Sequence, residues 1–249
     1  MVRDAVEGPA MKRLLLVIMV LGSAHALTAQ TEAPKESPPF QSAETLSVTD
    51  IPALNPCVAI GTVVLDALIS ETGEVQKVEV RRDIACLTQL AVHAVEDWKF
   101  SPATLAGKAI ASRMPVAVTF RPPSPFANPV PLPGLIPQSE AAIQADFQPA
   151  EVIHAEFPKY TTTTYAVGDV VLEVSLSEKG EAGEVKVLRD LPPFTEGVKA
   201  VVGQWRFMAA TFNGRAVQSK IVLAFVQPPV TTSSVSHGSS RYCSHARGR

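Results

Sequence analysis

The sequence has little net charge and few aromatic residues, and each shortage argues against a class of function. Its 249 residues include 22 basic and 24 acidic side chains, which leave a formal charge of only −2. A nucleic-acid-binding surface needs a basic patch, so this balance gives no electrostatic reason to expect a nucleic-acid partner. Aromatic residues make up 6% of the chain, too few to suggest a platform on which bases could stack.

Catalytic signatures are also missing from the sequence. No serine lies in a nucleophile-elbow pattern, and no glycine-rich loop of the phosphate-binding type occurs. The adjacent acidic residues Glu96 and Asp97 would diverge on a helix, so they do not form a catalytic pair. We therefore predict that the chain is not an enzyme and uses neither a metal nor another cofactor.

One stretch near the N-terminus could direct the chain to or across a membrane. Lys12 and Arg13 precede an apolar run at residues 14–21, and small residues suitable for cleavage follow at 24–29. This order is typical of a secretory signal that starts at Met11. The alternative is an uncleaved anchor in the inner membrane, although the run is short of the roughly 20 residues that span a bilayer. Either interpretation predicts a periplasmic location for the rest of the chain.

Prolines divide the remaining sequence into segments. The chain has 21 prolines, mainly before residue 57 and from Pro122 to Pro158, where they are typical of linkers. The last residues are polar and lack apolar periodicity, which indicates disorder. The predicted organisation is a signal peptide or short anchor (1–29), a linker (30–50), a first repeat (51–121), a proline-rich linker (122–156), a second repeat (157–229) and a disordered tail (230–249).

The most informative feature is a repeat at a spacing of about 107 residues. Around Gly61 the chain reads GTVVLDALISETGEVQKVEVRRD, and around Gly168 it reads GDVVLEVSLSEKGEAGEVKVLRD. The same offset aligns Trp98 with Trp205. A match of this length without a gap indicates duplication of a module of roughly 70–75 residues, a size that suits a binding domain better than an enzyme.

Hydrophobic periodicity predicts the same fold for both repeats. In the first, apolar residues alternate over 62–69, turn at Gly73 and resume in a second strand. They recur at helical spacing over 87–98, and residues 110–120 then supply a last strand. The predicted class is α+β, with two tandem ββαβ modules, each a three-stranded sheet of antiparallel type with one helix on one face.

The third strand of each repeat is predicted to be a sheet edge. A right-handed crossover through the helix returns this strand to the sheet, with the first strand in the middle. Pro115 lies in the third strand of the first repeat, and proline in sheets is largely confined to edges. The alternative is that the two edges pair with each other or lie under the linker.

Three cysteines fit an exported protein. A hairpin that turns at Gly73 would bring Cys57 close to Cys86, so we predict a disulfide between them. Closing a loop of about 30 residues would add about 3–4 kcal/mol to the free energy of unfolding. Two free buried thiols, or a metal site using Cys86 and His93, are the alternatives. Cys243 in the polar tail has no assigned role.

The sequence around the two tryptophans resembles a known family. The pattern Gly-x-Val-x-Leu, a glycine turn, Val-x-Val and a helix ending Trp-[Lys/Arg]-Phe is similar to the C-terminal domain of TonB-type proteins. Each repeat resembles one such domain, the first more closely because proline and alanine follow its Trp-Lys-Phe-Ser stretch. We expect four aromatic residues of these motifs to be structural core residues: Trp98, Phe100, Trp205 and Phe207.

The resemblance implies a function in the cell envelope. Domains of this family capture N-terminal extensions of outer-membrane TonB-dependent receptors by strand addition, and support energised transmembrane transport together with an inner-membrane motor complex. We expect the second repeat to be the binder, because Pro115 removes a donor from the first edge whereas Val222 occupies the matching position. The predicted partner-binding residues are Ser219, Lys220, Ile221, Val222, Leu223, Ala224 and Phe225.

A second hypothesis is a soluble periplasmic adaptor or scaffold that binds other envelope proteins without transducing energy. The short stretch between the predicted signal and the first strand favours this hypothesis. Its roughly 30 residues, extended at about 3.1 Å each, would span only about 90 Å, whereas a transducer needs a long stretch to cross the periplasm. An exposed edge could also pair with a second copy of the chain. Self-association therefore accompanies both hypotheses.

Overall fold

The computed structural model describes residues 40–52, 59–121, 130–136, 147–159 and 166–228. The predicted signal or anchor, Cys57, Cys243 and the C-terminal tail lie outside these ranges. The signal, the tail and the Cys57–Cys86 disulfide therefore stay predictions.

The described residues form an α+β structure in which one series of elements occurs twice. The first series is β1 (Phe40–Gln41), β2 (Glu44–Ser47), β3 (Gly61–Ile69), β4 (Val75–Arg82), α1 (Thr88–Glu96), β5 (Lys99–Ser101), β6 (Ala103–Leu105), β7 (Lys108–Ile110) and β8 (Ser112–Phe120). The second is β9 (Phe147–Gln148), β10 (Glu151–His154), β11 (Gly168–Leu176), β12 (Ala182–Arg189), α2 (Phe194–Val202), β13 (Arg206–Met208), β14 (Ala210–Phe212), β15 (Arg215–Val217) and β16 (Ser219–Gln227). The short strands after each helix were not predicted.

The first hairpin turn shows why glycine recurs at the same place in both repeats. Gly73 has a φ of +87°, and a Cβ atom there would lie 2.1 Å from the carbonyl oxygen of Phe100. Gly180 has a φ of +76°, and its Cβ would lie 2.3 Å from the carbonyl oxygen of Phe207. Only glycine combines this backbone conformation with so close an approach. The turn of each hairpin therefore packs against the chain that follows the helix.

The long strands of the two repeats join in one six-stranded sheet with the order β12-β11-β16-β8-β3-β4. The two final strands, β8 and β16, are central and pair parallel to each other, whereas the other pairs of this sheet are antiparallel. Each repeat contributes three antiparallel strands with its first long strand in the middle, but the expectation that the third strand is a free edge is wrong. Of the arrangements that the sequence left open, the structure has the one in which the two third strands pair.

Pro115 does not prevent this arrangement. The β8–β16 ladder begins with Val116 opposite Val222 and continues to Phe120 opposite Val226. Pro115 lies one residue before the first pair, so its missing N–H removes no bond from the paired stretch. The proline is consistent with an edge over part of the strand, but it does not make the whole strand an edge.

The two helices cover opposite faces of the six-stranded sheet. Leu65 packs in one core with α1, and Leu172 packs in another with α2. Side chains alternate along a strand, and in the central strands Val116 and Val222 belong to the α1 core while Ala117 and Leu223 belong to the α2 core. Each repeat therefore has its own helix on one face and needs other residues to cover the opposite face.

Two segments that precede the modules supply that cover. The first arm, residues 40–52, pairs with β5 and β6 of its own repeat, and the second arm, residues 147–159, pairs with β13 and β14. Both arms begin with the same motif, Phe-Gln-x-Ala-Glu, at the offset of the main repeat. The duplication therefore extends upstream into stretches that sequence analysis assigned largely to linkers.

Candidate interaction surfaces

The predicted binding strand, Ser219–Phe225, lies in the middle of the six-stranded sheet. Its strand β16 pairs with β11 along its whole length and with β8 from Val222 to Val226. The side chains from Ile221 to Phe225 are fully buried. The expectation that this strand is a free edge is therefore wrong, because the matching strand of the first repeat already occupies its open side. Binding of a peptide at these seven residues stays a prediction, and it would require β8 and β16 to separate.

The four aromatic residues expected in the core are buried. Trp98, Phe100, Trp205 and Phe207 are each at most 5% exposed. The indole Nε1 of Trp205 donates a hydrogen bond of 2.7 Å to the carbonyl oxygen of Glu156 in the second arm. The indole Nε1 of Trp98 has no hydrogen-bond partner among the described residues. These side chains pack the modules and their arms rather than presenting a surface to a partner.

The outer edge at β4 is partly covered by the chain itself. The backbone N–H of Ile136 donates to the carbonyl oxygen of Arg81 at 2.6 Å, and the Arg81 guanidinium donates to the carbonyl oxygen of Ile136 at 2.5 Å. Arg82 donates to the carbonyl oxygen of Pro133 at 2.8 Å. The linker after the first repeat therefore shields the end of this edge.

The opposite outer edge, at β12, is open in the part of the chain that the structure describes. No described strand pairs with its outer side. Four residues near its centre are exposed: Gly183, Glu184, Lys186 and Val187. Leu188 stands where the first repeat has Arg81, so the guanidinium that holds the linker on β4 has no counterpart here. The eight-residue strand β12 is thus the longest unpaired sheet edge among the described residues.

The first arm crosses to the second repeat and is held there by charge. The Lys220 ammonium lies 2.6 Å from a carboxylate oxygen of Glu44 and 3.3 Å from one of Glu173. Glu173 is buried, and it also accepts a 2.5 Å hydrogen bond from the backbone N–H of Thr45. The hydrogen bond and charge of Lys220 lower the pKa of Glu44. Burial alone would lower the pKa of Lys220, but the two carboxylates together raise it.

A second set of contacts joins the same arm to the end of β12. The Arg189 guanidinium pairs with Asp50, donates to the carbonyl oxygen of Val48 at 3.1 Å and lies 3.4 Å from Asp169. Asp169 is buried, and desolvation raises its pKa to about 6 against the opposing effect of a hydrogen bond from the Ile51 backbone. Arg189, the last residue of the open edge strand β12, therefore also holds the first arm in place.

The second arm makes the reciprocal contact with the first repeat. Arg82, which corresponds to Arg189 in the repeat, lies 2.5 Å from Glu151 and donates to the carbonyl oxygen of Val152 at 3.2 Å. Glu151 of the second arm corresponds to Glu44 of the first. Sequence analysis missed both arms, although the repeated Phe-Gln-x-Ala-Glu motif carried the signal for them.

The described ranges contain neither a membrane-spanning helix nor a clustered metal site. No helix within them is long and apolar enough to cross a membrane. Within the same ranges, no group of three or more His, Cys, Asp or Glu residues is arranged to hold a metal ion.

Comparison with protein families gives one match, which occurs twice. Residues 59–122 and 153–226 match the family model described as the Gram-negative bacterial TonB protein C-terminal. The two segments together cover more than half of the 249 residues. No curated protein and no solved structure matches the chain significantly.

Proposed function

Since the chain belongs to the Gram-negative bacterial TonB protein C-terminal family, with two tandem domains of that type, we propose that it binds an extended segment of an envelope protein at the outer edge of β12. The partner that the family resemblance favours is the N-terminal extension of an outer-membrane receptor. Binding would then support energised transport through that receptor.

The observation that carries this proposal is the open edge of β12. A sheet edge presents backbone N–H and C=O groups, so an extended peptide can add a strand with little demand on its own sequence. The third strands, β8 and β16, have no open side along their common ladder, and the linker covers the end of β4. Strand addition at β12 would not require any described strands to separate.

The first arm gives the proposed edge a connection to the N-terminal part of the chain. Arg189 is the last residue of β12, and it pairs with Asp50 of the arm. A force applied to the chain before residue 40 would act on the contacts of Asp50 with Arg189 and of Glu44 with Lys220 before it acted on the six-stranded sheet. An inner-membrane motor acting on an anchored N-terminus could in this way affect the binding edge.

The alternative function is an adaptor or scaffold in the periplasm that binds envelope proteins without transducing energy. The pairing of β8 with β16 favours it, because the two repeats share one sheet and thereby form a single platform. Binding at β12 would be the same in both cases. The two functions differ in whether binding or release depends on the proton gradient.

Site-specific photo-cross-linking tests the proposal. A photoreactive amino acid replaces Val187 on β12, or as a matched control Val80, the corresponding residue on β4. The probe is a synthetic peptide with the N-terminal sequence of an outer-membrane receptor from the same cells. We expect a cross-link from position 187 and little from position 80. A cross-link from neither position, or one only from a photoreactive residue at Lys220 in the central pair, would contradict binding at the outer edge.

The same variants separate transducer from adaptor in living cells. A transducer predicts that the cross-linking yield from position 187 to the receptor changes when an uncoupler collapses the proton gradient. An adaptor predicts an unchanged yield. Whether the yield changes or not, the mass of the cross-linked product identifies the partner.

A further inference from the structure

We propose that the junction between the first arm and the start of β16 binds a neutral mono- or disaccharide. A cavity of about 630 Å³ lies at this junction, within the range of about 300–1,000 Å³ that is typical of small-ligand sites. None of the described residues of β12 lines the cavity. The inference therefore concerns a second site, and it goes beyond the binding of an envelope protein at the outer edge.

The wall of the cavity is rich in groups that both donate and accept hydrogen bonds. Serine and threonine hydroxyls have this property, and a glutamine amide combines an oxygen acceptor with two N–H donors. Sugar hydroxyls donate and accept in the same way. Phe40 and Leu176 add apolar surface, which suits the C–H groups of a sugar ring. The polar side chains of the wall include Gln41, Ser42, Ser101, Ser175, Gln218 and Ser219.

The charged residues of the wall favour a neutral ligand. The Lys220 ammonium lies 2.6 Å from a carboxylate oxygen of Glu44 and 3.3 Å from one of the buried Glu173. Its charge is therefore already compensated by two carboxylates within the chain. A phosphate or carboxylate ligand would compete with them and would meet the negative charge of Glu44 in the same wall.

One buried hydroxyl of the wall lacks a partner. Ser219 is 5% exposed, and its Oγ has no hydrogen-bond partner among the described residues. A buried polar group without a hydrogen bond destabilises the folded chain, so such groups are uncommon. Because Ser219 lines the cavity, a ligand hydroxyl there would supply the missing bond.

The backbone of the wall is less suited to an extended peptide. Ser219 pairs with Leu176, and Gln41 pairs with Thr104, in their strand ladders. A peptide that adds as a strand needs free backbone groups along a sheet edge. Recognition in this cavity depends instead on side-chain hydroxyls and amides, which favours a saccharide.

The corresponding junction of the second arm with the start of β8 has lost most of these polar groups. It keeps the serine, since Ser112 is also buried and its Oγ has no partner among the described residues. The same fold therefore forms without the other polar side chains, and a ligand explains why one junction has them. At the offset of the main repeat, Ser42, Ser101, Ser175 and Gln218 are replaced by Pro149, Met208, Leu68 and Ala111.

NMR titration of the full chain tests the proposal. The probes are four neutral sugars, namely glucose, galactose, maltose and lactose, and the two anionic sugars glucuronate and galacturonate. For at least one neutral sugar we expect saturable amide shifts at Gln41, Ser175 and Ser219, with a dissociation constant below about 10 mM. The amides of Leu68 and Ser112 at the other junction should not shift. Both anionic sugars should bind more weakly than the best neutral sugar.

Two substitutions and a matched control assign the binding to side chains of the cavity. Ser219→Ala and Gln218→Ala should each weaken binding at least about fivefold, because each removes a hydrogen-bonding group. Gln218→Ala should fold normally, since the first repeat has Ala111 at that position. Ser112→Ala removes the corresponding buried hydroxyl of the other junction, and it should bind the sugar like the wild type.

Four results would overturn the proposal. They are no saturable shift with any neutral sugar up to about 100 mM, equal shifts at the two junctions, tighter binding of an anionic sugar than of every neutral one, and unchanged binding in both cavity variants. Saturable binding of trialanine at these residues, without binding of a sugar, would identify a peptide site and would also contradict it. No receptor peptide is present in these measurements, so their failure is distinguishable from a failure of the cross-linking test.

Discussion

The two outer edges of the six-stranded sheet come from corresponding strands, yet one is partly covered and the other is open. On β4, Arg81 and the linker residue Ile136 exchange hydrogen bonds through backbone and side chain. On β12 a leucine stands in place of that arginine, and the exposed residues carry both signs of charge. A duplicated module can therefore keep its fold while a few residues change how its outer edge is covered. Here the linker covers the end of the first repeat's edge, and no described residue covers the edge of the second.

The two repeats also differ beneath the arms. In the second, the buried Asp169 lies near Arg189, whereas the first has Thr62 at the corresponding place, where its hydroxyl is hydrogen-bonded to that of Thr119 at 2.8 Å. A hydroxyl pair does not titrate in the physiological range, but a carboxyl with a pKa of about 6 does. We therefore expect the first arm, which contacts the second repeat, to respond to pH through this position, and the second arm not to do so.

Asp169→Asn should have the larger effect of the two substitutions that test this comparison. Burial raises the pKa of Asp169 in the folded chain, so the folded state binds more protons than the unfolded state between about pH 4 and pH 6. Stability from this group is present below the unfolded pKa and is lost as the pH rises through the folded pKa. The variant should therefore gain about 1–3 kcal/mol relative to the wild type between pH 4 and pH 7.

Urea denaturation of both chains across that pH range measures the difference. Asp190→Asn changes the neighbouring exposed carboxyl and serves as the control, with an expected difference of less than about 0.5 kcal/mol. A constant difference between Asp169→Asn and the wild type from pH 4 to pH 7 would show that Asp169 keeps an ordinary pKa in the folded chain.

Ile136→Pro should have a smaller effect on stability and a clear effect on binding. Proline removes the N–H that donates to Arg81 on β4, which we expect to cost about 1 kcal/mol. The end of the β4 edge then becomes available, so a photoreactive residue at Val80 should begin to capture the receptor peptide. Leu135→Ala, a substitution at the preceding exposed residue, is the control. Capture from position 80 that is the same in both variants would indicate that the linker does not protect this edge.

Local sequence patterns predicted the elements better than their association. The strand near Gly61 and the helix ending near Trp98 have strong periods, and the structure has β3 and α1 in those places. The pairing of β8 with β16 joins residues 106 positions apart, such as Val116 and Val222, and no local period specifies it. Pro115 was an ambiguous signal, because a proline is tolerated in a central strand where the ladder begins one residue later. The short strands β5 to β7 have three residues each, too few for a period to appear.

Sequence analysis expected the open sheet edge at the third strand of each repeat. Because the two third strands pair with each other, an open edge lies instead at β12, a strand that sequence analysis described only as part of a hairpin. The arms could have been found from the sequence, since Phe40 and Phe147 begin the same five-residue motif at the offset of the repeat. The contact of Arg189 with Asp50 could not, because it joins residues of different modules.

Hydrogen exchange at single amides tests the central claim most directly, which is that one sheet joins the two repeats and leaves β12 as the open edge. The full chain is measured at low concentration, so that self-association does not protect the edge. We expect the amides that bond across the β8–β16 ladder, from Val222 to Val226, to exchange at rates within about tenfold of those set by global unfolding, and the outward amides of β12 to exchange far faster. Rapid exchange between Val222 and Val226, with protection of every amide of β12, would contradict the account.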